Sequence, residues 1–153
     1  MSLENIPTEE IEEKFENFIF NMSDNLEQIE EKANQQNLKF DYTLNSLKNI
    51  ERYILKNNTT INDDDYNDLS SYLGEVLRKN SKGNWICNLD KEGNSLYYGF
   101  PVIAGHSIDG VLFSPFHLIK AFILRKKENL FKEAIESQIN PKEIDWSNYE
   151  SEN

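Results

Sequence analysis

His106, Ser107 and Asp109 lie close together in "GHSIDG", and those three residue types invite an acyl-transfer reading. Neighbours in an extended segment face opposite ways, so Ser107 would turn away from His106. The Gly-x-Ser-x-Gly elbow that presents a nucleophilic serine is also absent. A cysteine–histidine dyad stays open, because Cys87 can meet His106 or His117 only through the fold. Cys87 alternates with Trp85 and Leu89, a pattern that suits a core thiol better than a nucleophile. Metal chemistry has less to work with: there is no paired-cysteine spacing and no His-Glu-x-x-His. The acid run "NDDDYND" lacks the central glycine and terminal glutamate of a calcium loop. Gly-rich phosphate loops are missing as well. These residues lean away from an enzyme, and none is assigned a catalytic, metal or cofactor role.

A different pattern centres on "YLGEVLRKNSKGNW". Gly74 interrupts a helical run beside the ionisable Glu75, although glycine costs a helix about 1 kcal/mol relative to alanine. Ser70 and Gly74 make a narrow strip of small residues beside the apolar face of Leu73, Val76 and Leu77, suited to a close backbone or a large ring. Glu75 falls toward the outward side, within reach of Arg78 at i+3 and Lys79 at i+4. Two readings stay open. Gly74 and Glu75 serve helix packing and a solvated ion pair, or another layer covers this side and leaves Glu75 and Arg78 in a groove. The second reading allows a small-molecule pocket between a sheet and this helix, lined by Glu75, Trp85, Tyr98 and His117. Tyr72, Glu75, Arg78, Trp85 and Tyr98 are the candidate binding residues.

The elements that must position them follow from periodicity. Ile11, Phe15, Phe18, Ile19, Met22, Leu26 and Ile29 recur at three and four, which predicts one long amphipathic helix over 8–34. Thr43 caps a second helix carrying Leu47, Ile50 and Ile54. Asn62 is the expected N-cap of a third. Asp63, Asp64 and Asp65 fill its first turn, Arg78, Lys79 and Lys82 lie at its far end, and Gly83 stops it. From Trp85 the period changes to alternation. "WICNL" and "SLYYGF" read as strands joined through Gly93, and "PVIAG" and "VLF" add short ones, the latter after the Asp109–Gly110 turn. Ser114–Pro115 opens an apolar helix expected to be buried on more than one flank, with a break near "KKEN". The fold class is α+β: N-terminal helices, a small antiparallel sheet of three or four strands, then a buried C-terminal helix. Residues 1–140 form one domain, and 141–153 an acidic, partly flexible tail whose Trp146 can dock on it.

The segment around Gly74 also resembles a family of small uncharacterised bacterial α+β proteins, in which a Tyr-x-Gly-Glu-Val helix runs into a Gly-x-Trp strand. Tyr72, Gly74, Glu75, Val76, Gly83, Trp85 and Pro115 carry the resemblance, which covers roughly Phe40 to Phe122. This chain has "SKG" where that pattern has a glycine pair. The resemblance implies a fold and no activity.

At 153 residues the chain can bury a core without disulfides, and with Cys87 as its one cysteine it forms none within itself. The acidic start lacks a signal-type apolar segment, and no apolar run approaches the roughly 20 residues of a membrane span. These features point to a cytoplasmic protein with no membrane role. A net charge of -11 repels nucleic acid and attracts a basic protein, and the cluster Arg125–Lys127 reads as a helix end. The expectation is a non-enzymatic bacterial interaction protein, an acidic immunity-type antagonist of a basic partner. Acids of the Asp63–Asp68 turn, Asp63, Asp64 and Asp65 among them, and of the N-terminal helix supply its interaction face, with Tyr66 or Tyr72 as its aromatic anchor. The alternative is a small-molecule binder or enzyme with its pocket near Glu75 and Trp85. A homodimer through the long N-terminal helix is a third possibility.

Overall fold

The computed structural model describes residues 5–92, 95–107 and 111–139. The first apolar stripe becomes α1, Thr8–Gln35, whose buried edge is Ile11, Phe18, Met22, Ile29 and Ala33. The Thr43 hydroxyl accepts from the Ser46 amide and starts a single 3-10 turn that leads into α2, Leu47–Asn57. Asp63, one residue beyond the expected Asn62, is the N-cap of α3, Asp64–Asn80. Two short strands follow, β1 (Asn84–Cys87) and β2 (Pro101–Ala104). They pair antiparallel with Trp85 opposite Ile103. Then come α4, Pro115–Arg125, and α5, Leu130–Ile139.

Helix α3 is the centre of the molecule. From Asp68 to Leu77 every residue but Glu75 is buried, because α1 lies along one side of it and α4 and α5 pack on others. A helix covered so widely needs small polar residues that satisfy themselves. Ser70 and Ser71 donate back to the Tyr66 and Asn67 carbonyls, one turn earlier. Tyr72 is fully buried and stacks on Phe40 at 4.4 Å. Its hydroxyl meets Ser46 Oγ at 2.6 Å and accepts the Tyr42 amide at 2.9 Å. Burial pushes the Tyr72 phenol up to about 12.

The sheet is smaller than the alternation predicts. Among the described residues it has two strands, extended by one isolated bridge between Ile103 and Phe113. "SLYYGF" is not a strand. Ser95–Tyr97 is a 3-10 turn, Phe100 N–H donates back to the Tyr97 carbonyl, and Gly99 sits at φ +82°. Ser95–Tyr97 closes as a turn, while Gly99 N–H donates to the Asn88 carbonyl and the Phe100 carbonyl accepts the Asn88 N–H, so Leu96 ends 72% exposed and Tyr98 is buried. The Gly93 and Asp109–Gly110 turns and the Trp146 tail lie outside the described residues.

Ser114 is the N-cap of α4 with Pro115 behind it, as the sequence implies. The helix is buried along Phe116, Ile119 and Phe122, with Phe116 against Phe18 of α1 and Phe122 against Phe131 of α5, and Leu124 is 71% exposed on its open side. The expected break falls at Lys126, whose left-handed φ of +53° ends α4. No described helix is long and apolar enough to cross a membrane.

Trp85 settles why α3 contains a glycine. A Cβ built on Gly74 collides with Cζ2 and Cη2 of the Trp85 ring and stands 3.1 Å from Ile103 Cδ1. The indole therefore lies directly on bare helix backbone. Replacing Gly74 by Ala is expected to destabilise the protein by about 1–3 kcal/mol, the usual range for overpacking. In a Trp85→Ala background the same change should be neutral or stabilising, because only the helix propensity of alanine remains. Urea unfolding of the four proteins in this cycle measures both signs.

Candidate functional site

Trp85, Glu75, Arg78 and Gly83 form one closed constellation. The indole N–H donates to Glu75 Oε2 at 3.1 Å. Arg78 Nη1 donates to the same oxygen at 2.7 Å and to Oε1 at 3.0 Å. Arg78 Nε donates in turn to the Gly83 carbonyl at 3.0 Å. The Glu75 side chain is only 12% exposed and is engaged by Arg78 and the indole, not by Lys79. It is not the solvated, outward carboxylate that helical spacing suggests, because β1 lays the Trp85 ring across that side. Gly83 has φ +120°, and a Cβ there would meet Ile103 Cγ2 at 2.8 Å and the Ala104 carbonyl at 3.0 Å. The turn before the tryptophan thus works with the one glycine that "SKG" supplies. Phe18 of α1 closes the outer side of the indole, edge-on at 5.1 Å. A carboxylate held by an arginine and an indole has its lone pairs occupied, so this arrangement clasps α3 to β1 and offers little to a substrate.

The other candidate binding residues lie elsewhere. Tyr72 is a core residue. Tyr98 is buried with the Lys91 ammonium 5.2 Å over its ring. His117 borders a different cleft of about 390 Å³, walled by Leu96, Tyr97, Leu112, Ser114 and Arg125, to which Glu75 and Trp85 do not belong. Its ring lies 4.7 Å from both Tyr97 and Phe100, and its Nδ1 is 2.6 Å from Ser114 Oγ. Burial lowers its pKa, which keeps the imidazole neutral. His106 is bonded through Nε2 to Gln138 at 2.7 Å. Burial raises the Cys87 thiol, which leaves it a poor nucleophile. Among the described residues no group of three or more His, Cys, Asp or Glu is placed to hold a metal ion.

The expected acidic face at the start of α3 is largely committed inside the protein. Asp65 forms an ion pair with Lys32 at 2.9 Å and accepts the Tyr53 hydroxyl at 2.7 Å. Tyr66 donates to the Phe116 carbonyl at 2.9 Å and packs edge-on against that ring. Asp63 and Asp64 alone of the four are exposed, and Asp63 accepts the Thr60 amide. Two further carboxyls are buried: Glu51, which accepts the Asn129 amide, and Asp68, whose Oδ2 has no partner among the described residues.

The N-terminal helix α1, expected to share that face, keeps exposed acids. Glu13, Glu16, Asp24 and Glu27 stand four and seven residues to either side of Phe20, on one helix face, and all are exposed. Phe20 itself is 84% exposed and Ile19 beside it 41%. Sequence periodicity placed Ile19 in the buried stripe and passed over Phe20. The available signal was a phenylalanine that falls off that stripe among carboxylates.

Compared with known proteins, the chain matches no family model, no curated protein and no solved structure. The geometry alone therefore carries the assignment.

Glu75→Gln keeps the shape of the clasp but removes its charge. The expected loss is about 1.5–3 kcal/mol, the range for a charge-assisted bond, with a shift in Trp85 emission. Unfolding curves of the two proteins at one ionic strength test it.

Asp68 gives a pH signature. Burial is the first cause that raises its pKa, ahead of the opposing Asn67 hydrogen bond. The folded chain then holds this proton more tightly than the unfolded chain. Stability from this group is present below the ordinary aspartate pKa and is lost as pH rises through the raised value. Asp68→Asn is expected to be more stable than wild type near pH 7, with the advantage shrinking toward about pH 4. An advantage that grows with acidity in the same unfolding assay contradicts this account.

Proposed function

We propose that the protein is a non-enzymatic bacterial interaction protein of the cytoplasm, an acidic immunity-type antagonist that neutralises a basic partner by direct contact. The observation that carries this reading is Phe20, 84% exposed in the middle of the acidic face of α1. An aromatic ring left in water is a liability unless something covers it, and aromatic residues ringed by polar groups are the usual anchors of protein interfaces. The surrounding carboxylates suit a basic partner, whose approach they accelerate and orient. Asp63 and Asp64 add exposed acid at the start of α3.

The tightness of the scaffold supports a binding role over a catalytic one. The Glu75–Arg78–Trp85 clasp, the Tyr72–Ser46 bond and the two committed acids Asp65 and Asp68 all serve the interior. A rigid body with one charged, aromatic-bearing helix face loses little conformational entropy on binding, which favours affinity.

The test is capture from source-cell lysate on immobilised wild type, Phe20→Ala and Glu16→Lys/Asp24→Lys, with elution along a salt gradient. Wild type should retain a basic protein in stoichiometric amount and release it at moderate salt. Truncating the ring should weaken binding by roughly tenfold or more, the range of an aromatic anchor. The charge reversal should slow association roughly tenfold at low salt. Equal retention by all three proteins would remove α1 from the interface, and the absence of any enriched basic protein would sink the antagonist reading.

A further inference from the structure

Three clefts run into one another along α2 where the α4–α5 turn crosses it. Their volumes are about 220, 380 and 70 Å³. Leu55 and Lys126 are shared by the first two, and Lys48 and Glu51 by the last two, so they form one trough. Its floor is mixed: Leu55 is 48% exposed, with Phe122 buried beneath it and the buried Glu51 carboxyl beside them. Its rim is cationic. Lys48 reaches Glu128 at 3.6 Å with both side chains largely in solvent. Among the described residues Arg52 and Lys126 have no carboxylate at ion-pair distance, and Arg52 has only the Asn49 amide oxygen. At the far end Thr59 Oγ1 is buried with no hydrogen-bond partner.

With 27 acidic and 16 basic residues, a cation in this chain has many carboxylates to choose from. Lys48, Arg52 and Lys126 outnumber the two carboxyls of the cleft, Glu51 and Glu128, and that cationic excess around Leu55 is complementary to an apolar side chain flanked by acids. A dense polyphosphate fits less well, since the buried carboxyl of Glu51 lies at the floor. The chain itself carries the complementary shape: Phe20 with Glu16 and Asp24 one turn to either side. Its own Phe20 cannot reach the trough, because α1 is fixed along α3 by its buried face while Phe20 points away.

We propose that copies of this chain associate head to tail, with Phe20 of one seated on Leu55 and Phe122 of the next and Glu16 and Asp24 meeting Arg52 and Lys126. Knob and socket are different surfaces, so each added copy leaves one of each free, and association continues past two unless a ring closes. The knob is the face assigned above to a basic partner. The inference rests on that reading for its surface alone, and partner binding and self-association exclude one another.

Sedimentation velocity on the purified full chain tests this without any partner. The mean mass of wild type should rise above the 17.9 kDa of one chain as concentration increases, and return to it at high salt. Phe20→Asp and the double variant Arg52→Glu/Lys126→Glu should each stay at the mass of one chain. Mixed in equal amounts they should form a species of twice that mass, because the first keeps the socket and the second keeps the knob. All the substituted positions are at the surface, and circular dichroism melts verify that each variant is folded. A wild type that stays monomeric at every concentration overturns the proposal. So does a mixture that fails to pair, or a socket variant that still dimerises while Phe20→Asp does not, the result expected of an α1–α1 seam. Failure here leaves capture of a basic partner by α1 intact, and failure of that capture leaves this result intact.

Discussion

The placement of one indole ring on one bare Cα organises this protein. The Trp85 ring can approach α3 this closely only where Gly74 offers no side chain, and once there its N–H needs an acceptor, which Glu75 supplies from the next position. Arg78 balances that carboxylate and, through its Nε, holds the Gly83 carbonyl. The chain leaving α3 is thereby turned back along the helix in a single register. β1 starts at that point, β2 pairs with it, and Phe18 of α1 seals the outer edge. A shift of one residue in β1 would put Ile86 on α3 and Trp85 in solvent, which is why so small a sheet is still well specified.

The acid excess is partitioned by the same packing. Helix α3 is surrounded, so acids on it are either neutralised locally, as Asp65 is by Lys32 and Tyr53, or lose solvation, as Asp68 does. Helix α1 touches the body along one edge, and its remaining circumference keeps its carboxylates in water. On the α2 side Lys48, Arg52 and Lys126 are exposed and outnumber the carboxyls, of which Glu51 is buried and Glu128 pairs with Lys48 at the rim. A strongly acidic chain thus presents one acidic and one basic surface, and the two proposals above follow from that polarity.

Much of the architecture is legible in the residues. The three-and-four spacing from Ile11 to Ile29 defines α1, the Thr43, Ser114 and Pro115 signals open helices where the structure has them, and the acid-first, base-last order marks α3. These are local effects of backbone hydrogen bonding, capping and the helix dipole, so adjacent residues suffice to encode them. "SLYYGF" was misread because alternation records only which side chains face the same way. Whether the backbone joins a ladder depends on a partner strand, and here a 3-10 turn curls Ser95–Tyr97 so that only the Gly99–Phe100 end meets Asn88.

The functional surface divides along the same line. Gly74, Glu75, Arg78 and Trp85 stand out in the sequence as a group because their residue types are costly or unusual for a helix and a strand. Whether they bind a ligand or each other depends on where β1 lands, and the fold brings them together with their hydrogen bonds closed. Phe20 carries no local mark except its position off the apolar stripe. Its exposure, like the cationic trough of Arg52 and Lys126, exists only once α1 is docked by one edge and α2 meets the α4–α5 turn. Residues near one another in the chain encode the helices, their ends to within a few positions, and the charge. Tertiary structure decided which acids are spent inside, which remain in water and which apolar groups are left uncovered, because burial is set by distant segments that no local spacing encodes.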